Sequence, residues 1–207
     1  AAGAQLVGGH TTMGAELTIG FTVTGTKNSM PLTIAGAKHG DALILTRPIG
    51  SGVILAADML GQAGGRNVAA MLTIMGQPQD REAAVLSTVA HAMTDITGFG
   101  LAGHVHAICQ ASGLDANLFQ DAIPTYSGAR ALSDAGLSST LMPENCADTP
   151  VDGLYDALLY DPQTAGGLLA SVPERQRAAV IKALGARGCT GHIIGRLSKG
   201  TGRVCLS

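Results

Sequence analysis

The chain has 207 residues and a mass of 20.8 kDa, with 46% hydrophobic and 14% charged residues. That apolar share excludes an intrinsically disordered chain. No apolar run approaches the ~20 residues of a membrane-spanning helix, so no membrane partner is expected. Thirteen Lys and Arg against fifteen Asp and Glu give a net charge of -2, and only three Phe, three Tyr and no Trp are available to stack on bases. Nucleic acid is therefore excluded as a partner.

Glycine is in surplus: 29 of 207 residues, about twice the usual ~7%. Without a collagen period, this predicts tight turns and backbones that come close to one another or to a ligand. The cysteines Cys109, Cys146, Cys189 and Cys205 form no Cys-x-x-Cys pair. Free thiols and the lack of a signal-peptide pattern point to a reducing, cytoplasmic setting. The opening Ala1 to Val7 has no Met and reads as a helix tail entering a strand, so the chain is expected to be a piece of something longer.

Leu17 to Thr24 alternates apolar and small polar residues, which predicts a half-buried strand. A turn at Lys38 to Asp41 precedes a short buried strand, Ala42 to Thr46, and a helix near Val53 to Leu60. Ala83, Leu86, Val89, Ala90 and Met93 keep helical spacing and predict a helix over 80–93. Another follows Gly100, with Leu101, Val105, Ile108 and Cys109 on one face and Gly113 as its stop.

Leu114 to Phe119 reads as a strand and Tyr126 to Ala135 as a helix; the stretch 137–153 lacks periodicity and reads as a long loop. Leu168 to Val172 is a strand, and Pro173 with Glu174 opens a helix to about Arg187. His192 to Leu197 and Arg203 to Leu206 read as a terminal hairpin. Strands alternating with helices predict one layered α/β (α+β) domain, a sheet with packed helices.

Three Gly-rich loops hold the candidate chemistry. In Gly8-Gly9-His10-Thr11-Thr12, adjacent glycines let backbone N–H groups face an anion, although Gly-Gly also serves ordinary turns. In Thr94-Asp95-Ile96-Thr97-Gly98-Phe99-Gly100, read as lying between two helices, Asp95 suits either Mg²⁺ or the N-cap of the following helix. Asp161-Pro162-Gln163-Thr164-Ala165-Gly166-Gly167 reads as a turn entering a buried strand, with a ligand role as the alternative. The histidines offer no metal cluster. His104 and His106 point roughly 200° apart on a helix, and His91 and His104 read as ordinary helix-face residues.

Together these loops resemble the C-terminal part of selenophosphate synthetase (selenide, water dikinase). The likeness rests on Gly8 to Thr11, Thr46 to Gly50, Ala92 to Leu101, Gly103-His104, Ala122 to Pro124 and Asp161 to Leu169, in that order. The resemblance implies the fold shared with the C-terminal domain of aminoimidazole ribonucleotide synthetase. Residues 1–207 would form that single domain, without the N-terminal ATP-binding domain that carries the reactive Cys or selenocysteine. It implies a homodimer that converts ATP and selenide to selenophosphate, AMP and phosphate. Gly8, Gly9, His10 and Thr11 would contact ATP phosphates, and Asp95 would bind Mg²⁺, which neutralises clustered phosphates. No catalytic residue falls in this chain, which alone is expected to be inactive.

Thr12 to Glu16, Leu141 to Asn145 and Ala165, where the family commonly has Ser, depart from the pattern. The alternatives are a relative in the same superfamily or a non-catalytic partner domain of the same fold. Those relatives are aminoimidazole ribonucleotide synthetase, thiamine-monophosphate kinase and a hydrogenase-maturation protein.

Overall fold

The computed structural model describes residues 3–26 and 30–207. The chain divides into two compact units, Ala1–Pro31 and Leu32–Ser207.

All regular elements described lie in the second unit. They begin with β1 (Ala42–Leu45), α1 (Ser51–Met59), α2 (Gly65–Met75), α3 (Asp80–Leu86), β2 (Ala92–Asp95), α4 (Gly100–Ser112) and β3 (Leu114–Leu118). They continue with α5 (Ala129–Asp134), α6 (Met142–Asp148), β4 (Asp152–Gly153), β5 (Leu168–Val172), α7 (Arg177–Ala186), β6 (His192–Lys199) and β7 (Val204–Leu206). The strands form one sheet in the order β2-β5-β1-β6-β3-β7-β4. β7 runs parallel to both its neighbours, β3 and β4, and every other pair is antiparallel.

The strand β1 explains the layering. All four of its residues are buried, because successive side chains enter different cores. Leu43 and Leu45 join Val53 and Ile54 of α1, Met71 of α2 and Val105 and Ile108 of α4. Ala42 and Ile44 join Val85 and Leu86 of α3 and Val180 and Leu184 of α7. The sheet is thus covered on both faces, as the α/β reading requires. α4 stops where expected, at Gly113 with a left-handed φ of 64°.

Several expected elements change. The helix expected over 80–93 ends at Leu86, and Ala92–Asp95 is instead an edge strand paired with β5. The Asp95 loop therefore follows a strand rather than joining two helices. The stretch 137–153 contains α6, with Pro143 in its first turn, where its missing N–H costs nothing. α2 carried no sequence expectation. The last two strands are not a hairpin, because β3 lies between them. Asp115 on β3 explains the crossing: one carboxylate oxygen accepts N–H groups of Thr201, Gly202 and Arg203 at 2.8, 3.0 and 2.8 Å. Those bonds, from Arg203 and Thr201 above all, hold the Asp115 carboxyl below the usual range.

In the first unit the expected strand over 17–24 does not form. Leu17, Ile19, Phe21 and Val23 are exposed. An alternating segment becomes a strand only where a neighbour supplies hydrogen bonds, and none does among the described residues. Ala1 and Ala2 lie outside the described residues, and Gly3 to Val7 forms no regular element.

Candidate functional site

The sheet brings two of the three motifs together. β2 and β5 pair with Asp95 opposite Leu168, so the loop leaving β2 and the loop entering β5 meet at one end of the sheet. Backbone bonds tie them: Ile96 N–H donates to Gly167 O at 2.9 Å, and Gln163 N–H donates to Thr97 O at 3.0 Å. Thr46, at the same end of β1, joins the pair. Its N–H donates to Leu168 O at 3.1 Å, and its Oγ1 accepts the Leu168 N–H at 2.8 Å.

The glycines follow from this closeness. A Cβ on Gly166 would lie 2.3 Å from Ile96 O, and one on Gly167 would lie 2.5 Å from Arg47 N. The buried Arg47 guanidinium donates to the carbonyls of Ala165 and Gln77. Ala165 takes a φ of 49° to present its carbonyl there. The position where the family commonly has Ser thus works through its backbone.

The Asp161 motif is the cap of α1. Gln163 Oε1 accepts from Gly50 N–H, Ser51 N–H and Ser51 Oγ at 3.0, 3.1 and 3.0 Å. Asp161 Oδ2 accepts from Gly52 N–H at 2.9 Å and from Gln163 Nε2 at 3.0 Å. Two buried side chains thus satisfy the first N–H groups of a helix more than a hundred residues earlier. Burial pushes the Asp161 carboxyl up to about 6, against the pull of its bonds to Gln163 and Gly52.

Asp95 ends β2, exposed, and its carboxylate makes no hydrogen bond to the described residues. It does not cap the helix that follows: α4 has Phe99 at its N-cap position and no side-chain cap. No group of three or more His, Cys, Asp or Glu able to hold a metal occurs among the described residues. One free carboxylate beside a hydroxyl-rich loop still suits Mg²⁺, which takes one or two carboxylates and keeps waters and phosphates as its other ligands.

His104 on α4 reaches back to this loop. Thr97 N–H donates to its Nε2 at 3.0 Å, and Thr97 Oγ1 bonds the same nitrogen at 3.0 Å. Burial lowers the His104 pKa, and the Asp95 charge opposes this. Two clefts flank the loops. One of about 450 Å³ lies against Gly52, Met59, Gly98, Ser139 and Thr164. The other, of about 380 Å³, is lined by Thr94, Phe99, His104, Asp148 and Thr149.

Gly8, Gly9, His10 and Thr11 belong to the first unit, whereas Asp95 belongs to the second. All four are exposed and carry no regular structure. Neither Gly8 nor Gly9 has a positive φ, and a Cβ on either would meet nothing within 4 Å. Within the described residues, neither backbone strain nor crowding accounts for glycine there.

Sequence reasoning noted Asn145 only at the end of a segment that departs from the family pattern and gave it no role. Its Nδ2 donates to Gly98 O at 2.7 Å and to Tyr160 O at 2.9 Å, binding both motif loops. It sits on α6, in the stretch read as an aperiodic loop, so its two carbonyl partners could not be read locally.

A family model described as AIR synthase related protein, C-terminal domain, matches residues 38–205. A selenide, water dikinase of Bdellovibrio bacteriovorus is 35% identical over 168 residues, covering 76% of this chain and 48% of the relative. Another, from Caldanaerobacter subterraneus, is 34% identical over 170 residues, covering 77% and 49%. The chain thus spans about half the length of the curated relatives it matches. Among solved structures, thiamine-monophosphate kinase from Stenotrophomonas maltophilia has a TM-score of 0.64 at 18% identity, covering 84% of this chain and 52% of its own. HypE of E. coli, a hydrogenase maturation protein, has a TM-score of 0.60 at 18% identity, covering 85% and 49%. At that identity the two share the fold with this chain.

Proposed function

Since the chain belongs to the AIR synthase related proteins, as their C-terminal domain, we propose that it is the C-terminal half of an ATP-dependent selenide, water dikinase. The observation that carries this reading is the free Asp95 carboxylate, exposed where the Asp95 and Asp161 loops are locked together. Relatives bearing that name are 34–35% identical over 76–77% of this chain. In this reading the locked loops hold Asp95 still, and its carboxylate would hold a Mg²⁺ ion. The metal supplies charge neutralisation, so that an anionic selenide can approach the phosphate chain. Gly8 to Thr11, in the first unit, are read on their own as a loop whose amides contact ATP phosphates. The working protein is a cytoplasmic homodimer, and its N-terminal half handles the nucleophile.

The test is made on the full-length protein, supplied with ATP and selenide and followed by ³¹P NMR. Asp95→Asn is expected to lower selenophosphate formation on the order of 100-fold and to leave the melting temperature unchanged, because Asp95 caps nothing. An Asn variant of normal activity and Mg²⁺ dependence would sink the metal reading.

For the glycine loop, Gly9→Val is expected to raise the KM for ATP at least ~10-fold with an unaltered melt. Nothing within 4 Å of that position resists a side chain. Unchanged ATP affinity in the folded variant would withdraw the loop as a nucleotide site.

A further inference from the structure

His104 was expected to be an ordinary helix-face residue, but its ring is committed to the loop that follows Asp95. A backbone N–H can only donate, so the bond from Thr97 N–H requires a lone pair on His104 Nε2. A neutral ring then carries its proton on Nδ1. Burial favours that neutral ring, since it lowers the His104 pKa despite the Asp95 charge. The ring is also held edge-on to Phe99, with centroids 6.0 Å apart.

The backbone beyond Asp95 is fixed at three groups. Ile96 N–H is bound by Gly167 O, Thr97 N–H by His104, and Thr97 O by Gln163 N–H. The first and last of these are held by backbone on the Asp161 loop. Only the middle one depends on a side chain, and it lies two residues from the carboxylate.

We propose that His104 is a positioning residue, a latch whose Nε2 fixes Thr97 and through it the carboxylate of Asp95. The proposal rests on the reading of Asp95 as a metal ligand, and its test separates the two. Groups that hold a ligand in place commonly influence metal affinity 10- to 100-fold without touching the metal.

The experiment uses the 207-residue chain by NMR, with Mn²⁺ alone as the probe. Long-range ¹H–¹⁵N correlations are expected to show His104 protonated on Nδ1 and bare on Nε2. His104→Leu should speed amide exchange at Thr97 at least ~10-fold and weaken Mn²⁺ broadening of the Asp95 and Thr97 amides ~10-fold. His104→Gln, whose Oε1 can replace Nε2 as acceptor, should restore both; a residue that merely filled space would not be rescued this way. A proton on Nε2, or unchanged Thr97 exchange in a folded His104→Leu, would overturn the latch. If His104→Leu does not fold, the tautomer and the Gln variant still decide. Absence of Mn²⁺ broadening in the unsubstituted chain would count against Asp95 as a ligand, while the tautomer and exchange results still judge His104.

Discussion

Gly100→Ala should destabilise the protein far more than Gly113→Ala, although both glycines have nearly the same left-handed backbone. Gly100, at the start of α4, has φ of 71°, and Gly113, just past its end, has φ of 64°. Each substitution incurs the penalty of a Cβ in that region, roughly 1–2 kcal/mol. The surroundings differ. A Cβ on Gly113 meets nothing within 4 Å, whereas one on Gly100 would lie 2.7 Å from Leu159 O and 2.8 Å from the carbonyl carbon of Tyr160. Those are backbone atoms of the two residues just before Asp161, and Asn145 Nδ2 donates to the Tyr160 carbonyl at 2.9 Å. They cannot swing aside as the end of a flexible side chain can.

The clash should therefore add at least ~2 kcal/mol for Gly100→Ala, a difference in melting temperature of roughly 4–8 °C between the two variants. Denaturant titration of both, beside the unsubstituted chain, measures it. Equal losses would mean that the two loops are not locked at Gly100. The consequence reaches the site, because moving the 159–160 backbone also moves the contacts that hold the loop after Asp95.

The comparison of Gly100 with Gly113 shows what the sequence could and could not reveal. Gly113 is readable as a helix stop from its position alone, and so was found. The motif Thr94 to Gly100 was also legible, but the neighbour that makes its last glycine necessary is sixty residues away. The same holds for Gln163, whose role depends on a helix start at Gly50 and Ser51. β1 was clear because a strand buried on both faces is apolar throughout. The helix expected over 80–93 failed because Val89, Ala90 and Met93 keep helical spacing while packing against the second core beyond the helix end. Periodicity reports which residues are buried; β2 forms there because β5 offers an unpaired edge, which no local window contains. The terminal hairpin failed for a similar reason, since Asp115 comes from a strand some eighty residues earlier.

A pH dependence follows from Asp161. Its folded-state pKa of about 6 lies above the ordinary 3.8, so between these values the folded chain binds more of this proton than the unfolded chain does. Stability from this group is therefore full at low pH and is lost as pH rises from about 4 through about 6. The loss is on the order of 3 kcal/mol, the cost of keeping an ionised carboxylate in the buried cap. Its Oδ1 has no hydrogen-bond partner among the described residues, which is why burial outweighs the bonds made at Oδ2. His104 and His192, lowered by burial, act with the opposite sign, gaining stability as pH rises toward their ordinary 6.5. The total curve mixes these effects, so the informative quantity is the difference between the protein and Asp161→Asn at each pH. The Asn amide oxygen can keep the bond from Gly52 N–H without a charge to desolvate. Chemical denaturation from pH 4 to 7 should show the variant gaining on the unsubstituted chain as pH rises, with the gap levelling off above pH 6–7. A gap that stays constant across this range would mean that Asp161 is not the group that titrates.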